Sequence, residues 1–150
     1  MRSFGLMLAV AVLVVSGNSS AVAGVAYRGS ATELGARAQG RVLVAELSAD
    51  VDGDGHDEIA LAERGKDGKL RLVILKSEVQ EEEVSFRRVF EGTPRTGEKI
   101  LRFEPKRMVG SAAPEILLVF EERSPDEVMQ HVRVVGKTEQ GLAEIFAQSF

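Results

Sequence analysis

Residues 57–61 read Asp-Glu-Ile-Ala-Leu and residues 114–118 read Pro-Glu-Ile-Leu-Leu, so a glutamate opening a short apolar run occurs twice, 57 residues apart. Around both copies the chain alternates short apolar or half-apolar runs with turn residues. Eight runs read as strands, at 41–48, 58–63, 70–77, 84–91, 98–105, 115–121, 129–136 and 142–149. Runs of this length, punctuated by Gly, Pro, Asp and Ser, predict an all-β chain. The starts of the first four recur in the second four at offsets of 57, 57, 59 and 58. A fixed period of this size marks a supersecondary unit present in tandem.

The pattern inside the runs supports that reading. In 70–77, Leu70, Leu72 and Ile74 share one face while Val73 and Leu75 share the other with Arg71. Apolar groups on both faces predict an interior strand. In 84–91, Val84, Phe86 and Phe90 point one way and Ser85, Arg87 and Val89 the other, the alternation of a half-buried strand. Gly65 to Lys69 carries Asp-Gly at its centre, a hairpin signal. Residues 92–97 (GTPRTG) and Ser124-Pro125-Asp126 break the chain again. A four-stranded meander per repeat resembles a propeller blade, but a closed propeller typically needs about 4–8 blades. The predicted fold is therefore two four-stranded antiparallel meander repeats, blade-like, packed as a partial propeller or a sandwich. Sheets lying side by side, or completing a larger assembly with other copies, are the remaining arrangements.

Before the repeats the sequence changes character. Arg2 precedes an unbroken run of apolar residues and Gly from Phe4 to Val15, then small polar residues and Ala21-Val22-Ala23. This is the layout of a secretory signal peptide with its cleavage site. The run is short of the roughly 20 residues that span a bilayer, so no stable membrane span is expected after cleavage. The division read here is 1–23 signal peptide, 24–40 linker (with an edge strand around Val25–Tyr27), and 41–150 a two-repeat β domain, split as 41–97 and 98–150. The expected location is secreted or periplasmic.

The 150 residues carry a net charge of −4, no Cys and two His. A net-acidic chain argues against nucleic-acid binding. The lack of Cys removes thiol catalysis, disulfides and Cys-ligated zinc.

The most specific local feature is Asp50-Val51-Asp52-Gly53-Asp54-Gly55-His56-Asp57-Glu58, five carboxylates in nine residues. Crowding them without a cation costs electrostatic energy, and hard oxygen donors at this density suit Ca²⁺ better than Mg²⁺. Alternation at 50, 52 and 54 turns three carboxylates inward, Gly53 and Gly55 permit the tight loop, and Glu58 closes it. An EF-hand would need a bidentate Glu at its twelfth position and an apolar eighth; here these are Leu61 and Asp57, between strands.

The loop instead resembles the calcium loops of FG-GAP and VCBS-type repeats, found in integrin α-subunit propellers and many secreted bacterial proteins, where D-x-[DN]-x-D-G-x-x-[DE] leads into a short apolar strand. The resemblance implies side-chain ligands at Asp50, Asp52, Asp54 and Glu58 and a backbone ligand at the carbonyl of His56, with Asp57 turned away. In the second copy Arg107, Val109 and Ser111 stand where Asp50, Asp52 and Asp54 stand in the first, leaving only Glu115. One Ca²⁺ per chain is expected.

No nucleophile elbow, P-loop or His-Glu-x-x-His motif is present. His56 and His131 read as exposed and as surface or packed, respectively. The expectation is a secreted, calcium-stabilised binding or adhesion-type module without catalytic activity. The alternative is a metal-assisted hydrolase working through the Asp50–Glu58 loop, which an ion wrapped by one loop leaves few open positions to perform. The partner is an unidentified protein or glycan, with homo-oligomerisation open. The basic stretch Arg87, Arg88, Arg95, Lys99, Arg102, Lys106 and Arg107 is interleaved with Glu91, Glu98 and Glu104, so it reads as a solvated mixed-charge face or a docking patch for an acidic partner.

Overall fold

The structure is a computed structural model, describing residues 13–16, 19–23, 36–80, 83–108 and 111–150. All eight predicted strands are present: β3 (Arg41–Ala49), β4 (Glu58–Gly65), β5 (Lys69–Gln80) and β6 (Glu83–Glu91), then β8 (Lys99–Lys106), β9 (Glu115–Arg123), β10 (Val128–Thr138) and β11 (Gly141–Ser149). Three short strands add to these: β1 (Leu13–Ser16), β2 (Ser19–Ala23) and β7 (Arg95–Thr96). Each set of four is an antiparallel meander, ordered β6-β5-β4-β3 in one sheet and β11-β10-β9-β8 in the other. Among the described residues no helix is long and apolar enough to cross a membrane.

The sequence repeat is a repeat of pairing register. Ala49 faces Glu58 across β3 and β4, and Lys106 faces Glu115 across β8 and β9, each partner displaced by 57 residues. Both pairs of strands carry a bulge at the equivalent place, between Leu43 and Ala45 and between Ile100 and Arg102. The last pairs match too: the register shifts opposite Ile74/Leu75 in the first sheet and opposite Val134/Val135 in the second. Bulges are built features that set local twist, so their duplication shows that the two sheets share one backbone plan.

The second of these bulges corrects one expectation. Phe86 pairs with Ser77, Arg88 with Leu75 and Phe90 with Ile74, leaving Val89 unpaired. The extra residue reverses the alternation, so Phe86 and Val84 lie on one face whereas Val89 and Phe90 pack on the other. A strict period of two cannot anticipate such an insertion.

The sheets stack face to face around one core. Ala60, Leu72 and Ile74 of the first sheet pack with Ile116, Leu118, Phe120 and Val135 of the second. These are not equivalent faces. By register Ala60–Ile74 corresponds to Leu117–Val134, and Ile59–Leu75 to Ile116–Val135. If the face carrying Ala60 and Leu117 is called face a, and that carrying Ile59 and Ile116 face b, then face a of the first repeat covers face b of the second. The layers follow one another head to tail, with β3 near β8 and β6 near β11. Face b of the first repeat holds a separate buried group, Ile59, Leu61, Val73, Leu75 and Phe86. β5, apolar on both sides as the sequence predicts, contributes to both.

Turns and crossings follow local chemistry. Gly68 takes a left-handed backbone (φ 76°) and its N–H donates to the Gly65 carbonyl at 3.0 Å, closing the predicted hairpin. Between the sheets, a Cβ on Gly97 would stand 2.5 Å from the Phe120 ring and 2.9 Å from Leu70. Only glycine lets the chain pass this close while β7 pairs with the start of β5. β8 is an edge strand, which accommodates Pro105 without a missing ladder bond.

Within residues 13–23, β1 and β2 form a hairpin, and β2 pairs with β6 through Ala21–Arg87, Val22–Phe86 and Ala23–Ser85. Cleavage after Ala23 would remove both strands and bare that edge of β6. The rest of the proposed signal peptide, and residues 24–35 of the linker with the edge strand expected at Val25–Tyr27, lie outside the described residues. The end of the linker is tied down: Ala36 is buried, and Arg88 donates to the Gln39 side chain at 2.7 Å.

One ionic network gathers the end of the first sheet. Glu91 on β6 accepts from Arg41 of β3 at 3.0 Å and from Arg71 of β5 at 2.8 Å, and it also pairs with Arg88. Arg41 reaches Glu63 of β4 as well, at 2.9 Å. Partial burial works against the Glu91 charge, yet the Arg71 hydrogen bond and the fields of Arg88 and Arg41 outweigh it, leaving the carboxyl below its ordinary pKa. A depressed carboxylate contributes stability above its ordinary pKa and loses it as pH falls through the lowered value. Glu91→Gln is therefore expected to cost about 1–3 kcal/mol at neutral pH. The gap from the parent should narrow in urea unfolding at about pH 3, well below the ordinary carboxyl range; a gap unchanged between the two pH values would refute the ionic role.

Candidate metal centre

The acidic segment leaves the core at Ala49 and re-enters it at Glu58, the first residue of β4. Its neck is closed by two buried anchors. Val51 packs in the inter-sheet core. Glu58 is 1% exposed, and its Oε2 accepts the backbone N–H of Val51 at 2.8 Å and of Asp52 at 3.2 Å. Gly53 (φ 73°) and Gly55 (φ 90°) both adopt the left-handed backbone for which the sequence reserves them.

The remaining carboxylates wrap the turn. Asp50 accepts from the N–H of Asp54 at 3.0 Å and of Gly55 at 2.9 Å. Asp52 accepts from the Asp54 N–H at 3.1 Å, and Asp54 from the His56 N–H at 2.9 Å. These bonds organise the loop around its acidic side chains. Asp57 turns away, accepting from Ser48 Oγ at 3.0 Å.

Asp50, Asp52 and Glu58 bring three oxygens within 4.8 Å of one another. Oxygens at about 2.3–2.6 Å from one Ca²⁺ lie up to about 5 Å apart across the ion, so all three fit on a single coordination sphere. Of the five residues singled out from the sequence, these three converge. Asp54 faces the same group through a shared neighbour, Lys76, and His56 sits exposed on the rim with its N–H engaged by Asp54. Glu58 Oε1 is the decisive atom, because it is buried and accepts no hydrogen bond. A buried carboxylate oxygen without a donor costs free energy that a cation would offset.

Lys76, on β5, is the residue that sequence reasoning missed. Its ammonium pairs with Asp52 and Asp54 and lies 3.5 Å from Glu58 Oε1. The only sequence signal was a lone cation ending an apolar interior strand, and nothing local ties it to a loop more than twenty residues earlier. Hydrogen bonds to Asp52 and Asp54 raise the Lys76 pKa, and the Lys76 bond in turn lowers that of Asp54. Burial, reinforced by the neighbouring Asp52 charge, raises the Glu58 pKa against the pull of its backbone donors and Lys76. A second lysine, Lys137 of β10, donates to the Asp52 carbonyl at 2.6 Å, tying the loop to the opposite sheet.

The second repeat supplies an internal control. Glu115 Oε2 accepts the Met108 N–H at 3.0 Å, the same neck clamp one repeat later. No carboxylates accompany it in that loop, where Arg107 and Ser111 replace Asp50 and Asp54; Val109 and Gly110 lie outside the described residues. Burial of Glu115 is outweighed by its bonds to Ser111 and Met108, and its pKa falls. The same clamp thus carries a raised pKa at Glu58, where burial dominates and the Asp52 charge adds to it, and a lowered one at Glu115, where hydrogen bonds outweigh burial.

Other residues singled out from the sequence make contacts within the fold. His131 is buried, stacks on Phe120 with ring centroids 4.9 Å apart, and bonds Glu122 at 2.8 Å and Ser149 at 2.7 Å. Within the basic stretch, Arg87 pairs with Glu78, Arg88 with Glu91, and Arg102 lies 3.9 Å from Glu104.

Comparison with protein-family models, with curated proteins and with solved structures finds no match to this chain.

The ammonium of Lys76 and a divalent ion would use the same oxygens, so they compete. Lys76→Met is expected to lower stability in EDTA by about 1–2 kcal/mol and to tighten Ca²⁺ binding by about tenfold, on the order of 1.4 kcal/mol. Calorimetric titration beside urea unfolding measures both; weaker Ca²⁺ binding in the variant would refute the competition.

Proposed function

We propose that this chain is an exported, non-catalytic binding module of the FG-GAP/VCBS type, whose first repeat holds one structural Ca²⁺. The observation that carries the reading is the convergence of the Glu58 carboxylate, whose buried Oε1 accepts no hydrogen bond, with Asp50 and Asp52. Asp50, Asp52, Asp54 and Glu58 would hold the ion, and the carbonyl of His56 completes the set that the family resemblance implies. Bound there, Ca²⁺ supplies charge neutralisation and a rigid link between β3 and β4. The protein's own residues prepare the place: Oε2 of Glu58 closes the neck, while Oε1 lies 3.5 Å from the Lys76 ammonium that pairs with Asp52 and Asp54.

The family resemblance rests on the loop D-x-D-x-D-G-x-x-[DE] leading into an apolar strand, and is supported by the duplicated meander. Export rests on the basic, apolar and Ala-Val-Ala layout before residue 24. The binding role is that of the resembled family, with a protein or glycan as partner.

Outside cells Ca²⁺ is often millimolar, so a site of about 10⁻⁴ M would be mostly filled. At ten times Kd, binding to the native state alone adds about 1.4 kcal/mol, which for a chain of this size raises Tm by about 4 °C. The expected result is a higher melting temperature in Ca²⁺ than in EDTA, with the difference abolished by Asp52→Ala. Coincident melts of the parent protein under the two conditions would remove the structural-calcium reading. Metal-dependent hydrolysis of phosphate or glycan substrates, lost with Asp52→Ala, would replace it with the hydrolase reading.

A further inference from the structure

At the turn between β4 and β5 the chain leaves an open cavity of about 350 Å³, lined by Gln39, Gly40, Gly65, Lys66, Asp67 and Arg71. Small-ligand sites fall at about 300–1,000 Å³. The two glycines keep the space clear. A Cβ on Gly65 would stand 2.7 Å from Asp67 Oδ1 and 3.9 Å from Arg71 Nη2, and one on Gly40 would stand 3.5 Å from Lys66 Cε.

The polar groups on its wall are only partly used within the fold. Arg71 belongs to the network in which Arg41, Arg71 and Arg88 share Glu63 and Glu91, three cations for two anions. Arg41 spends both terminal nitrogens on these glutamates, and Arg88 divides its own between Glu91 and Gln39. Arg71 commits Nη1 alone, to Glu91 at 2.8 Å. Among the described residues its Nη2, the nitrogen near Gly65, has no acceptor. Lys66 is exposed and has no ionic partner among the described residues either. Gln39 gives its carbonyl oxygen to Arg88, which leaves its amide donors. Asp67 Oδ1 takes the Lys69 N–H at 3.1 Å, which leaves Oδ2 as an acceptor.

We propose that this cavity binds a hydroxylated monocarboxylate, a uronic acid unit of an acidic glycan. This ligand rests on the binding role proposed above; the cavity itself shares no residue with the acidic loop. Arg71 Nη2 and the Lys66 ammonium are two charged donors for one carboxylate, and charge-assisted bonds of this kind are the strong ones. The Gln39 amide and Asp67 Oδ2 then match hydroxyls, which both give and take hydrogen bonds. Asp67 decides between anions. Its charge on the same wall repels a second negative group, which argues against phosphate and against a run of acidic side chains. A neutral sugar would leave Arg71 and Lys66 without an anion.

Amide-shift titration of the full chain by nuclear magnetic resonance, with glucuronate, glucose, acetate and an Asp-Glu dipeptide at constant salt, tests the proposal. Glucuronate should bind in the millimolar range, as a ligand this small does, and move the amides of Gln39, Gly40, Gly65, Lys66 and Asp67. Glucose and acetate should bind about tenfold more weakly or worse. Arg71→Met should weaken glucuronate about tenfold, and Lys66→Met, at the exposed rim, about threefold. Lys99→Met, the same loss of charge on β8, should change nothing. Lys66 lies on an exposed turn, so its variant reports on the site even where Arg71→Met fails to fold. No shifts with glucuronate up to about 50 mM, equal binding of glucose or acetate, tighter binding of the dipeptide, or undiminished binding by Lys66→Met would overturn it. A melt in Ca²⁺ and in EDTA on the same sample separates the two readings: a calcium-dependent Tm without glucuronate binding removes this site and leaves the calcium module standing.

Discussion

The structure turns on how one buried carboxylate divides its two oxygens. Glu58 Oε2 takes the backbone donors of Val51 and Asp52, which fixes the chain where it leaves and re-enters the core. With that oxygen committed, Oε1 is left buried, with the Lys76 ammonium that also pairs with Asp52 as its charged neighbour. Ionising a buried carboxyl near a like charge is unfavourable unless a cation shares the space. Lys76 supplies part of that charge at 3.5 Å, and a divalent ion would supply it at coordination distance. Glu115 shows what the clamp does alone: one oxygen closes the neck of a loop that has no aspartates.

The loop also belongs to the seam between the sheets. Lys137 of the second sheet holds the Asp52 carbonyl, and a Cβ on Gly53 would touch the Ala113 side chain of the second repeat's loop at 3.4 Å. Fixing the acidic turn therefore fixes one end of the inter-sheet packing, with Val51 as the apolar link into the core. Through that coupling an ion in the acidic loop would bear on the stability of both repeats.

Much of this was legible in the residues because the strands obey local rules. Apolar runs bounded by Gly, Pro and Asp located all eight long strands, and the doubled Glu-Ile pair announced the duplication now seen as matching register. What could not be read was the placement of things by partners distant in sequence. The Val89 bulge carries no local signature, so the faces of Phe86 and Phe90 were misassigned as one. Lys76 is an ordinary strand-end lysine until folding sets β5 beside the loop. The direction of stacking is likewise invisible in a pattern that marks β5 as apolar on both sides. At the site, alternation and the two glycines pointed to Asp50, Asp52 and Asp54 with Glu58 closing the loop, of which Asp50, Asp52 and Glu58 lie together, whereas the split duty of the Glu58 oxygens needed the geometry of the neck.

Native mass spectrometry of metal-stripped protein titrated with Ca²⁺ addresses the division of the Glu58 oxygens most directly. The parent chain should take up one Ca²⁺ per chain. Glu58→Gln, which keeps an acceptor for Val51 and Asp52 but withdraws the second charged oxygen, should take up none at the same free concentration. Equal loading of the two proteins, or no uptake by the parent, would contradict the account.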